Sequence, residues 1–194
     1  MISAETIDKI FDALSKNIGL NKGKGISIVV CGGTALFVLD LVSRTTRDVD
    51  ILGTVDEKRG EISYLSKFPD WFLKSAATVA RDFNLPDDWI NLGPAEQIKS
   101  GLPDGLFKRL KKKKYGKCLN IYFISRIDQI YFKLYASLDR GGYHVDDLWE
   151  LNPTKKELLN ASNWVLTQDV SAGFKCILIS FLKKFNYNEI VEEL

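Results

Sequence analysis

Apolar residues recur at helical spacing near the start of the chain, from Ile7 through Ile10, Phe11, Leu14 and Ile18, with Ser3 standing as a plausible N-cap. The period then changes. Asn21-Lys22-Gly23-Lys24-Gly25 is a turn-forming break, without the Gly-Lys-Ser/Thr ending of a phosphate-binding P-loop. Ile26 to Cys31 is an apolar run of strand length that ends on Gly32-Gly33. A helix-length apolar segment follows, then the basic stretch Ser43 to Arg47, then Asp48-Val49-Asp50-Ile51-Leu52. Strand side chains alternate faces, so Asp48 and Asp50 would project together while Val49 and Ile51 enter the core.

Beyond Leu52 the segment Gly53 to Gly60 reads as a loop and Glu61 to Phe68 as a short helix. Asp70 caps a stronger helix that buries Trp71, Phe72, Ala76, Val79, Ala80 and Phe83. Asn84 to Asn91 breaks the pattern, with Asp87 and Asp88 in a cap or solvent-facing loop. Gly93 to Gly105 is weakly patterned, with a short helix expected near Ala95 to Ser100. Leu106 to Leu110 and Cys118 to Ile124 read as two strands around a basic turn. Ser125-x-x-Asp128 has the form of a capping box. The helix it opens carries Ile127, Ile130, Tyr131, Leu134 and Leu138 on one side. Gly141-Gly142 stops it, Tyr143 to Leu151 forms another before Pro153, and Thr154-x-x-Glu157 caps a third through Trp164. Phe174, Ile177, Leu178, Phe181, Leu182 and Phe185 mark a last amphipathic helix. Strands mixed with helices, then helices alone, predict an α/β (α+β) fold. A mixed sheet flanked by helices would occupy 1–124, and a helical part 125–194.

At 194 residues, 45% hydrophobic and 27% charged, the chain can bury a core without covalent staples. Cys31, Cys118 and Cys176 are widely spaced and lack metal-type pairing, and a single histidine excludes a multi-histidine metal centre. Reduced, mostly buried thiols in a cytoplasmic protein are expected. The first residues lack a signal-peptide pattern, and no apolar run is long enough to cross a bilayer, so no membrane partner is expected. The net charge of +2 is uninformative, but Lys108 to Lys117 packs seven positive charges into ten residues. Such density at Lys111, Lys112, Lys113 and Lys114 suits either a phosphate backbone or a solvated hairpin tip.

The chemistry begins with Asp48 and Asp50. Two adjacent carboxylates repel unless a divalent cation lies between them, and hard oxygen ligands favour Mg²⁺ or Mn²⁺. The whole phrase Gly32-Gly33-Thr34-Ala35-Leu36, a helix-sized spacer, Arg44-x-Thr46-x-Asp48-Val49-Asp50 resembles the polymerase-beta-type nucleotidyltransferase superfamily. It is most similar to the AbiEii-like toxin nucleotidyltransferases and to a related bacterial family of unknown function (DUF6036-like). The spacer, 14 residues from Thr34 to Arg47, is slightly longer than usual for the superfamily. Leu85-Pro86-x-x-Trp89-x-Asn91 also resembles the family of unknown function. A second block, Lys133-Leu-Tyr-Ala136, Arg140 and His144-x-x-Asp147-Leu148, is similar to the Lys-x-x-Ala, Arg, Asp-Leu block of the AbiEii type.

That resemblance implies a nucleotidyltransferase core over 1–124, with 125–194 completing its cleft. It implies a Mg²⁺-dependent enzyme that moves a nucleotidyl group from a nucleoside triphosphate to an RNA hydroxyl, tRNA-like in the toxin relatives, or to a protein hydroxyl. The protein would then be the toxin of a toxin–antitoxin or phage-defence pair, with a cognate antitoxin as partner. Asp48, Asp50, Lys133 and Asp147 would form the catalytic set, the first two holding metal. Gly32, Gly33, Thr34, Arg44, Arg47 and Arg140 would contact the nucleotide. Thr34 could equally be a helix cap, and the arginines a charged loop. Lys133 on a helix flank would ordinarily reach for solvent. Asp147 is open to two roles, general base or orienting partner of Lys133, and His144 to a cap, a core or a supporting role. The superfamily's usual third carboxylate is missing from Cys118 to Ile124. That absence sustains the other reading, a non-catalytic member of the fold that binds a nucleotide, RNA or protein.

Overall fold

The computed structural model describes residues 2, 4–42 and 45–194, so the cap expected at Ser3 lies outside the described residues. The chain divides into two compact units, Met1–Lys99 with Gly105–Ile124, and Ser100–Asp104 with Ser125–Leu194.

In the first unit α1 (Ala4–Leu20) leads into β1 (Ile26–Cys31) and α2 (Gly32–Val38). Then come β2 (Val49–Asp56), β3 (Glu61–Ser63), α3 (Asp70–Asp82) and β4 (Ile90–Asn91). A 3₁₀ turn (Gly93–Glu96), α4 (Gln97–Ser100), α5 (Leu106–Arg109), β5 (Lys111–Tyr115) and β6 (Leu119–Phe123) follow. The sheet runs β3-β2-β1-β6-β5, with β4 also on β2. β1 and β6 are parallel, as are β2 and β4, and the other pairs are antiparallel. One edge of β2 is shared: β4 pairs with its first residues and β3 with its last.

The stripe Ile7, Ile10, Phe11, Leu14 and Ile18 is wholly buried, and it packs in one cluster with Ile28, Val30, Val49, Ile51, Ile121 and Phe123 of the sheet. Phe72, Ala76, Val79 and Ala80 of α3 join the same cluster. Each of the valine, leucine, isoleucine and phenylalanine side chains contributes about 1.5–3 kcal/mol of transfer free energy, an upper value against an extended chain. Asp70 is the first residue of α3, and Pro69 takes the cap position. Asp87 and Asp88 lie exposed in a turn, while Trp89 is buried and its Nε1 donates to the Ala76 carbonyl at 3.1 Å.

Four stretches differ from the sequence expectation. Gly53 to Asp56 continues β2, and Glu61 to Ser63 is a strand, not a helix. The cause is Gly53, where a Cβ would stand 2.6 Å from the Ser63 carbonyl, so only glycine lets β3 come alongside. The hairpin closes because Asp56 Oδ1 accepts from the Lys58 and Arg59 amides. Leu106–Arg109 is a helical turn with Leu106 buried, not a strand. The lysines are strand, not turn: Lys111 to Lys114 pair with Asn120 to Phe123, and the turn comes after Tyr115.

In the second unit α6 (Arg126–Asp139), α7 (Tyr143–Glu150), α8 (Lys155–Gln168), α9 (Ala172–Lys184) and α10 (Asn188–Glu192) follow one another. α6 is enclosed on most sides, burying Ile130, Phe132, Leu134, Ala136 and Leu138, while Ile127 is exposed, against the expected stripe. Ser125 caps α6 by accepting from the Asp128 amide, and Thr154 with Glu157 forms the full reciprocal box on α8. Arg126 joins three elements: it donates to the Leu151 and Asn152 carbonyls and to Glu157 at 2.8 Å. On α9 Phe174, Leu178 and Leu182 are buried but Ile177 is not. Among the cysteines Cys31 is buried, Cys118 half-buried and Cys176 exposed. Among the described residues no helix is long and apolar enough to cross a membrane.

Candidate active site

β1 delivers the chain to the glycine pair, and the turn there is possible only without a side chain. Gly32 has φ +64°, the left-handed region, and Cys31 is the N-cap of α2. Cys31 lies opposite Asp50 in the β1–β2 ladder. The consequence is close contact: a Cβ on residue 32 would lie 2.3 Å from Asp50 Oδ2, so the carboxylate occupies the space that glycine leaves. The ladder slips by one residue just before this point, between Val29 and Val30. Such bulges re-aim side chains beside functional sites.

Asp48 sits one residue before β2. Burial alternates as expected: Asp48 and Asp50 are half-exposed, whereas Val49 and Ile51 are wholly buried. Val30 and Ile51 belong to the core cluster under α1, so alternation puts Cys31 and Asp50 on the opposite face of the sheet. Thr34 is fully buried, and its hydroxyl donates to the Asp48 carbonyl at 2.8 Å. Cys31, not Thr34, holds the cap position, and the Thr34 hydroxyl spends its hydrogen on the main chain. Gly33 is buried inside α2, a helix of only seven residues. Arg47 is exposed next to Asp48, and Arg44 lies outside the described residues.

In the second unit the structure brings Lys133 and Asp147 together. Lys133 on α6 does not reach for solvent. Its Nζ donates to Asp147 Oδ2 on α7 at 2.6 Å, with side chains only 5% and 3% exposed. Tyr143 covers the ammonium, its ring centre 5.7 Å from Nζ. The geometry favours the partner role for Asp147 over the general base, because Lys133 holds one of its oxygens. Arg140 is the exposed C-cap of α6, with its guanidinium 3.6 Å from Asp139. His144 is buried on α7. A separate cavity of about 520 Å³ lies along α8, lined by Tyr131, Asn160, Asn163, Trp164 and Thr167 among others, and none of the candidate catalytic or nucleotide-binding residues lines it.

The lysine strand is not one patch. Alternation sends Lys113 toward α1, where it bonds Asp8 at 2.8 Å beside Tyr115, and Lys112 to the other face, onto Glu57 at 2.7 Å. The Tyr122 hydroxyl also bonds Glu57. Hydrogen bonds from Lys112 and Tyr122 hold the Glu57 carboxyl below its ordinary range.

Among the described residues no group of three or more His, Cys, Asp or Glu side chains converges as a metal cage. The donor set instead fits Mg²⁺ or Mn²⁺, which need only one or two carboxylates when phosphate and water supply the rest. The Gly32 cradle around Asp50 is the observation that supports that fit. Thr46 stood in the Arg44-x-Thr46-x-Asp48 phrase without an assigned role. It is buried, and its hydroxyl stands 3.3 Å from the Asp48 carbonyl.

Residues 6–160 match the family model described as nucleotidyltransferase of unknown function (DUF6036). No curated protein and no solved structure matches the chain.

Proposed function

The chain belongs to that nucleotidyltransferase family, and on this premise we propose that it moves a nucleotidyl group from a nucleoside triphosphate to a hydroxyl acceptor, using Mg²⁺ or Mn²⁺. The observation that carries the reading is Asp50 seated against the side-chain-free Gly32, with half-exposed Asp48 two residues before it. In this reading the acceptor oxygen bonds the α-phosphorus as the bond to pyrophosphate breaks, and the acceptor's proton passes to a base. The bound ion stabilises charge on the phosphoryl oxygens and the leaving pyrophosphate. Asp48 and Asp50 would hold that ion, Gly32 allows close backbone approach, and Arg47 offers a cation to phosphate. The acceptor is a hydroxyl of RNA, tRNA-like by the AbiEii resemblance, or of a protein. By the same resemblance the protein is a toxin restrained by a cognate antitoxin.

Each α-³²P-labelled nucleoside triphosphate, incubated with the protein, Mg²⁺ and total cellular RNA or protein, tests this. Label should pass to a macromolecule, and Asp48→Ala should abolish the transfer. A second reading, a nucleotide-binding protein without transfer, is favoured by the lack of a three-acid cluster among the described residues. Nucleotide binding with no labelled product from any acceptor would select it. Lys133→Arg separates the roles of the buried pair: lost transfer with an unchanged melting temperature would make the lysine part of the chemistry.

A further inference from the structure

Asp48 precedes the first residue of β2, and two side-chain hydroxyls converge on its carbonyl oxygen. Thr34 donates from α2 at 2.8 Å, and Thr46 stands at 3.3 Å. The Thr46 hydroxyl also lies 3.4 Å from Asp48 Oδ1, so it straddles the main chain and the carboxylate. Both threonines are buried, at 0% and 6% exposure. A carbonyl oxygen has two lone pairs and can accept from both hydroxyls, though the single Thr46 hydrogen serves either the carbonyl or Oδ1 at one time. Threonine hydroxyls ordinarily bond their own local backbone, but Thr34 reaches a residue fourteen positions away. Thr46 is itself pinned, for its amide and carbonyl exchange hydrogen bonds with Ile2 at 3.1 and 2.8 Å. β-Branching fixes the side-chain rotamer, so each hydroxyl has a set direction.

We propose that Thr34 and Thr46 are positioning residues that orient Asp48 toward a divalent cation, neither touching the ion itself. The proposal rests on the reading of Asp48 as a metal ligand. Groups that orient ligating carboxylates change metal affinity by about 10–100-fold when removed. The long contact to Oδ1 is the one expected to shorten when the carboxylate is drawn to an ion, since such bonds are often slack without ligand.

The test is titration of the full chain with Mn²⁺, followed by the loss of the free-ion electron paramagnetic resonance signal, with melting temperatures recorded alongside. Thr46→Val, similar in shape but without the hydroxyl, should bind Mn²⁺ about 10-fold more weakly at an unchanged melting temperature. Thr46→Ser should recover most of that loss, and Thr34→Val should weaken binding in the same direction. Wild-type affinity in folded Thr46→Val, or a serine variant no better than valine, would overturn the proposal. If Thr34→Val unfolds, the Thr46 pair still decides. Asp48→Asn separates the two levels: Mn²⁺ binding that survives it defeats the metal reading itself, whereas its loss with Thr46→Val unaffected defeats only the positioning role.

Discussion

Asp48 and Asp50 are like charges left half-open beside a turn that has no side chain, whereas Lys133 and Asp147 are opposite charges shut away between α6 and α7. The members of the first pair repel each other, and a cation held between them would offset that repulsion. The second pair is satisfied as it stands, yet burying two charges costs several kcal/mol per ion before their attraction is counted. A pair of apolar residues would hold α6 to α7 at least as well. Neither pair is therefore explained by stability alone, but the two should fail in opposite ways when changed.

The largest contrast is expected at the closed pair. Lys133→Met leaves the Asp147 carboxylate buried without its cation and should cost about 3–5 kcal/mol in urea denaturation. Adding Asp147→Leu should restore most of that. A double variant no more stable than the single one would show that the pair is not the source of the loss. Next comes Gly32→Ala, which forces a side chain into the left-handed region and against Asp50 Oδ2. A loss of about 2 kcal/mol, with weakened Mn²⁺ binding, is expected. Unchanged binding would remove the cradle from the site.

The Arg126–Glu157 pair lies between the extremes, with side chains 34% and 20% exposed. The Arg126 hydrogen bond, helped by Thr154 and opposed by burial, holds the Glu157 carboxyl below its usual 4.5. Its stabilisation, on the order of 1 kcal/mol, is thus fully present above pH 4.5 and lost as pH falls through the lower folded value. Glu157→Gln should flatten that part of the pH–stability curve, and an unaltered curve would refute the assignment. The smallest effect belongs to the open pair: Asp50→Asn keeps the side chain's shape and should change stability by less than about 1 kcal/mol while removing Mn²⁺ binding. Destabilisation instead would mean that the carboxylate is structural.

Much of this was written in the order of residues. The α1 stripe, the strand ending on Gly32-Gly33 and the alternation through Asp48 to Ile51 are local patterns, and local patterns survive folding. Gly53 read as a loop because glycine ordinarily weakens strands; its reason, the approach of β3, exists only once the chain has folded back. The lysines read as a turn because four like charges in a row rarely pair in a sheet, yet alternation gives each face only two of them. Lys133 read as solvent-seeking because its partner stands fourteen residues on, beyond any helical spacing. Thr46 belonged to a recognisable phrase but carried no legible role, since a hydroxyl that supports a carboxylate looks like any other threonine in a loop.

β5 has one more consequence. It is the last strand of its sheet, so one side of its backbone meets no further strand of that sheet, and such borders invite the same border of another copy. All four lysines along that border are exposed, and while Lys112 and Lys113 are matched by Glu57 and Asp8, the charges of Lys111 and Lys114 make two copies repel before their amides can align. That repulsion reaches only about 10 Å at 0.1 M salt and about 3 Å at 1 M. Crowded, salty solutions are therefore where this chain would first lose its reluctance to stack.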